Sequence, residues 1–95
     1  MENRQESDFK GTLYGVVSSN ISKAGWEWDV QNKIGVVRIE FLSGKIYDYW
    51  PVHKSTWNEF WQKTPANRSA WLRSNIINNI SLNYEHVNDE QTKLL

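Results

Sequence analysis

The sequence predicts an α+β domain: a three-stranded antiparallel meander followed by two helices packed on one of its faces. Three observations predict it. Apolar and polar residues alternate over residues 21–30, two β-branched and aromatic runs flank Ser43-Gly44, and helical spacing takes over after Pro51. At 95 residues there is room for one core and no second. The chain divides into a flexible arm over residues 1–12, the α+β domain over 13–82 and a polar tail over 83–95.

The arm (MENRQESDFK over residues 1–10) has one apolar side chain after Met1, the composition of a loose segment. Residues 13–17 (LYGVV) either add a short edge strand or lead into the first long one. From Ile21 the alternation is regular, with Ala24, Trp26, Trp28 and Val30 on one face and Gly25, Glu27 and Asp29 on the other. Gln31-Asn32-Lys33 makes the turn. For Trp26 and Trp28 to share a face with Val37 and Ile39, even positions must pair with odd ones; one such register sets Glu27 opposite Arg38 as an outward ion pair.

The hairpin over residues 36–52 (VVRIEFLSGKIYDYWPV) admits two registers. A two-residue Ser43-Gly44 loop pairs Ile39 with Asp48 and brings a carboxylate among inward apolar side chains, which is costly. A three-residue loop over 42–44, with Gly44 left-handed in a bulge, pairs Phe41 with Lys45, Ile39 with Tyr47 and Val37 with Tyr49. The second is preferred. Val37, Ile39, Phe41, Tyr47 and Tyr49 then share the inner face, while Arg38, Glu40 and Asp48 point outward to water or to one another.

Pro51 closes the third strand, since it lacks an N–H for the ladder. Trp57, Phe60, Trp61 and Thr64 then recur at i, i+3, i+4 and i+7, with Ser55 or Thr56 as N-cap. Thr64-Pro65 ends this helix and starts the next, Thr64 as cap and Pro65 at the first position. In the second helix Leu72, Ile76 and Ile80 form a stripe beside Ile77, flanked by Trp71, and Asn78 and Asn79 weaken its end.

Six tryptophans are too many for so small a core to shield completely. Trp26, Trp28, Trp57 and Trp61 read as core. Trp50, turned outward by the preferred register, and Trp71 are the candidates for exposure. The absence of cysteine excludes disulfides, thiol catalysis and thiolate metal sites, and no apolar run is long enough for a signal peptide or membrane span, so the expectation is a cytoplasmic protein without a membrane partner.

The chain as a whole is neutral, but residues 18–79 carry eight basic against five acidic residues, +3. Lys54, Lys63, Arg68 and Arg73 lie in the helical half with Glu59 as the one acid. Cations beside aromatic rings are what nucleotide or single-stranded RNA recognition uses, phosphate on the cations and bases on the rings. An ordinary solvated helix face has the same composition. For Tyr47 and Tyr49 the two readings are core packing with local hydroxyl bonds and a cup whose hydroxyls meet a ligand.

Ser18-Ser19-Asn20-Ile21 leading to Gly25-Trp26, then Ile39-Glu40-Phe41, Ser43-Gly44, the Tyr47-Asp48-Tyr49 triplet and a Val52 leading into a helix resemble the KTSC domain. This small bacterial and phage family is named from a segment at the C-terminus of some lysyl-tRNA synthetases. The resemblance runs over residues 18–79, is most specific at the tyrosine triplet, and continues in pattern through Ser69-Ala70-Trp71-Leu72 and Ile76. Trp26 stands where the family usually has tyrosine. Trp28 and Trp50 are further departures. The resemblance implies the fold over residues 13–82 and suggests RNA binding; no activity comes with it.

Catalysis has no support in the sequence. His53 and His86 are far apart, no glycine-rich phosphate loop occurs, and no metal or triad spacing is present. The expectation is a small non-enzymatic binding domain without cofactor or metal, recognising RNA or a nucleotide through Tyr47, Tyr49, Trp50, Trp71, Lys54, Lys63, Arg68 and Arg73. The alternative is a protein-binding adaptor or a phage-encoded inhibitor of a host protein. The sequence leaves the oligomeric state open.

Overall fold

The computed structural model of the protein describes residues 4–87. Five antiparallel strands neighbour one another in chain order: β1 (Tyr14–Gly15), β2 (Ile21–Asp29), β3 (Ile34–Phe41), β4 (Ile46–Trp50) and β5 (Asn83–His86). Between β4 and β5 come α1 (Lys54–Gln62), α2 (Pro65–Leu72) and a π turn over Arg73–Ile77. The class is α+β with two helices, but the sheet has five strands where the sequence predicted three. Both additions are edges. β5 comes from the start of the expected polar tail and pairs Tyr84 with Tyr49 and His86 with Tyr47. A four-residue edge strand with polar residues on both faces carries almost no periodic signal. Val87, just after it, is buried and donates its N–H to Ile46 O at 2.8 Å; residues 88–95 of that tail lie outside the described residues.

The β3–β4 hairpin adopts the three-residue loop. Ile39 faces Tyr47 and Val37 faces Tyr49; Phe41 N–H donates to Lys45 O and Gly44 N–H to Phe41 O, both at 2.9 Å, with Gly44 at φ +92°. The β2–β3 register has the expected parity but is slid by two residues: Trp26 faces Val37, Glu27 faces Val36, and Gly25 rather than Glu27 faces Arg38. The intervening turn fixes this. Asp29 Oδ1 accepts the Asn32 N–H at 2.9 Å and Lys33 takes a left-handed φ of 54°, so the ladder starts with Asp29 opposite Ile34.

The core lies between the sheet and the helices, joining Ile21, Ala24, Val37, Ile39 and Tyr49 to Trp57, Phe60, Trp71, Leu72 and Ile76. α1 begins at Lys54 with His53, not Ser55 or Thr56, at the N-cap, and the His53 carbonyl accepts the Trp57 N–H at 3.0 Å. Thr64 and Pro65 sit as expected at the N-cap and first turn of α2. The Leu72, Ile76, Ile80 stripe stops short: Ile80 is fully exposed. The π turn explains this, since Asn78 N–H bonds Arg73 O at 2.9 Å and ends the helix before a further i+4 position exists.

The opposite face of the sheet is covered as well. Residues 4–10, expected to hang as a loose arm, lie against it, with Arg4 5 % exposed. Arg38 and Asp48, expected to be satisfied by water or by one another, pair across the strands as expected but are buried beneath the arm and shielded from water.

Candidate functional site

Of the four cations of the helical half, Arg68 meets the rings of Phe60 and Trp61 at the junction of α1 and α2. Arg68, in the first turns of α2, lies with its guanidinium carbon 4.9 Å from the centre of the Trp61 ring and 5.3 Å from that of Phe60. Its Nε donates to Phe60 O at 3.2 Å and its Nη2 to Trp61 O at 3.4 Å, which leaves three of five N–H groups without a protein acceptor among the described residues. Tyr14 of β1 meets the Trp61 ring edge-on at 4.7 Å. Both rings are exposed, Trp61 by 40 % and Tyr14 by 42 %. Lys63 caps the end of α1 beside them and is exposed. Arg73, five residues after Arg68 and also exposed, reaches back to Ser69 Oγ at 3.3 Å, and Ser69 in turn bonds Ser18 Oγ at 3.1 Å. Trp61 was expected in the core. It is left at the rim because β1 is only two residues long and cannot cover it.

A second aromatic group runs along the inner face of β4 and β5. Tyr47 contacts Phe41 at 6.0 Å, Tyr49 at 6.4 Å, Tyr84 at 6.3 Å and His86 at 5.1 Å between ring centres. Tyr84 is 69 % exposed and Tyr47 half-buried, whereas Tyr49 belongs to the core. Burial pushes the Tyr49 phenol up to about 12, with Tyr47 and Tyr84 adding to the effect. Core residue and surface strip are thus neighbours on one strand.

The other candidates fall elsewhere. Trp71 is buried, edge-on to Trp57 at 6.3 Å, and its indole N–H has no partner among the described residues, so it offers no face for stacking. Trp50 is half-buried at the end of β4, on the face away from the helices. Lys54 stands apart at the start of α1, its Nζ 5.9 Å from the Trp26 ring. Trp26 is itself tied down by its indole N–H, which donates to Val52 O at 2.8 Å. Trp28, expected in the core, is 54 % exposed at the far end of β2, where its strand partner is Gly35.

Neither a family model nor a curated protein matches this chain. No helix of the described residues is long and apolar enough to cross a membrane.

The third polar assembly was not legible in the sequence. On the outer face the Arg4 guanidinium gives Nε to Asp48 Oδ2 at 2.5 Å, Nη1 to Asp29 Oδ2 at 2.6 Å and Nη2 to Glu27 Oε2 at 2.7 Å. Arg38 holds Asp48 from the other side, at 2.8 Å from Nε and 3.0 Å from Nη2. Burial pulls the Arg4 guanidinium down, but Asp48 and Glu27 outweigh it and the net shift is upward. For Asp29 burial pushes the carboxyl up, and the Asn32 amides together with Arg4 overcome it and hold the group below its ordinary value. One signal was available. The outer face of β2, β3 and β4 carries Glu27, Asp29, Glu40 and Asp48 against Lys23 and Arg38, and Lys23 faces Glu40, an imbalance that calls for a cation from elsewhere in the chain.

Proposed function

We propose that this chain is a small non-enzymatic binding module that recognises single-stranded RNA or a nucleotide at the α1–α2 junction. The observation that carries the reading is the Arg68 guanidinium, stacked on Trp61 with N–H groups to spare and flanked by exposed Tyr14 and Lys63. Phosphate takes the free N–H groups of Arg68, with Lys63 and Arg73 as further cations, and a base stacks on Trp61 or Tyr14. The tyrosine strip of Tyr47 and Tyr84 supplies a second stacking surface. Kinship with the KTSC domain, which rests on Ser43-Gly44 and the Tyr47-Asp48-Tyr49 triplet, belongs to the same proposal.

Three phosphate contacts give a slope of log affinity against log salt of about −2 for a single strand. Titration of the chain with short single-stranded RNA at several salt concentrations measures this slope, and Arg68→Ala should flatten it by roughly one third. Salt-independent binding, or none, refutes the reading. Tyr, Trp and Arg at one exposed point are also the residues that dominate protein interfaces, so a protein partner is the second reading. Under it, capture of a partner is unaffected by nuclease and lost in Trp61→Ala.

A further inference from the structure

We infer that the outer face of the sheet is a peptide-recognition groove, specific for an arginine followed five residues later by an aromatic residue, which the chain keeps filled with its own residues 4–10. The acidic residues alone do not suggest this; the seated segment does. Sheet side chains read the backbone of the arm at four points. Glu85 Oε1 accepts the Arg4 N–H at 3.1 Å and Glu27 Oε1 the Lys10 N–H at 2.7 Å, while Arg38 donates to Glu6 O at 2.6 Å and to Gln5 O at 3.1 Å. These contacts hold the arm by its backbone, which makes a 3-10 turn over Glu6–Asp8 closed by Asp8 Oδ2 accepting the Gln5 N–H at 2.7 Å. Two side chains add selectivity: Arg4, whose three kinds of nitrogen go to three different carboxylates, and Phe9, whose ring lies 4.9 Å from the Arg38 guanidinium carbon.

The specificity follows from shape. Asp48, Asp29 and Glu27 surround a planar fork, and a lysine ammonium cannot reach all three. The groove is not closed around its occupant. A cavity of about 560 Å³ opens beside Arg4, lined by Lys10, Glu27, Asp29 and Asn32, and gives an incoming segment a place to start displacing the arm. The arm is suited to leave, because polar groups make most of its contacts and Phe9, half-buried, is its one aromatic anchor. The ligand class is therefore an arginine-bearing segment of another polypeptide, on the face opposite the helices.

The test is competition. In the full chain carrying Arg4→Ala and Phe9→Ala the groove loses both side-chain anchors of its own arm. An acetylated peptide RQESDFKG with a fluorophore at its C-terminus should bind this variant, and should bind the unaltered chain at least about tenfold more weakly, because there the tethered arm competes. The same peptide with lysine for arginine should lose about tenfold or more. Equal binding of the two peptides, or equal binding to the two chains, overturns the inference. So does a variant that no longer folds, since the arm is then part of the core and not a ligand. Hydrogen exchange on the unaltered chain supplies an independent check: Arg4 and Lys10 amides should exchange through an opening that leaves Val37 and Ile39 protected. Exchange of all four by one global opening overturns it too.

Discussion

Asp48→Asn tests whether the outer face is held by charge. Asp48 is fully buried and accepts three charge-assisted bonds, one from Arg4 and two from Arg38. Asparagine keeps the shape but removes the charge and turns an NH₂ group toward one of the two guanidinium groups, donor against donor. Arg4 keeps Glu27 and Asp29, but Arg38 is left buried with no carboxylate partner among the described residues. Breaking a buried pair in this way costs about 3–5 kcal/mol, a large share of the roughly 5–14 kcal/mol expected of a domain this size. Arg4→Met should cost less, on the order of 1–3 kcal/mol, because the arm can lift and let water reach Glu27 and Asp29 while Arg38 still pairs with Asp48. Urea melts of the two variants give the ordering. A loss below about 1 kcal/mol for Asp48→Asn, or one no greater than that of Arg4→Met, refutes the reasoning.

Three further predictions concern the scaffold. At Gly44, φ +92° with open space around the missing Cβ makes asparagine the mildest replacement, while Gly44→Val should cost about 1–2 kcal/mol or more in the same melts. At Gly35 the obstacle is contact: a Cβ would stand 1.9 Å from Val52 O and 2.9 Å from Trp26 Nε1, so Gly35→Ala should cost at least about 3 kcal/mol and alter the near-ultraviolet signal of Trp26. For pH the signs are opposite at the two ends. The Tyr49 phenol is raised to about 12, so its contribution is whole below pH 10 and lost as pH rises toward 12; Tyr49→Phe should flatten that alkaline loss. Asp29 is lowered, so its contribution is present above the ordinary carboxylate pKa and lost as acid titrates it below that value, and Asp29→Asn should flatten the acid limb.

The inner half of the fold was legible because it is made of local periodicity. Val37, Ile39, Tyr47 and Tyr49 follow from alternation once a buried Asp48 among apolar side chains is rejected, and that one argument chose the bulged turn correctly. Trp57 and Phe60, three apart, place α1 on the core. The tryptophans were harder, because alternation gives a face but not how far along the strand the covering layer extends. Trp26 and Trp28 share a face, yet only Trp26 lies under the chain that runs from β4 into α1. Trp71 and Trp61 exchanged their expected places for the same reason: burial depended on the length of β1 and on a π turn, neither of which has a pattern of its own. The arm was misread for a different reason. Its composition is that of a solvated segment, and its place depends on pairing Arg4 with carboxylates 23, 25 and 44 residues away.

The two faces of this sheet are therefore stabilised by different physics, and that difference distributes the charge. On the outer face Arg4 and Arg38 are consumed by Glu27, Asp29 and Asp48, leaving a neutral to acidic surface that Glu85 and Glu40 extend. On the helices Lys54, Lys63, Arg68 and Arg73 have no carboxylate within ion-pair distance among the described residues, so their field reaches solvent. A chain of zero net charge thus presents one cationic side and one whose two arginines are paired internally, with Lys10 and Lys23 as exposed cations. An anionic ligand is drawn to the helices and an arginine-bearing one to the groove. The two proposed sites differ in sign, so raising salt should weaken the first steeply through counterion release, and the second less, because its ion pairs are desolvated and lie inside the screening length.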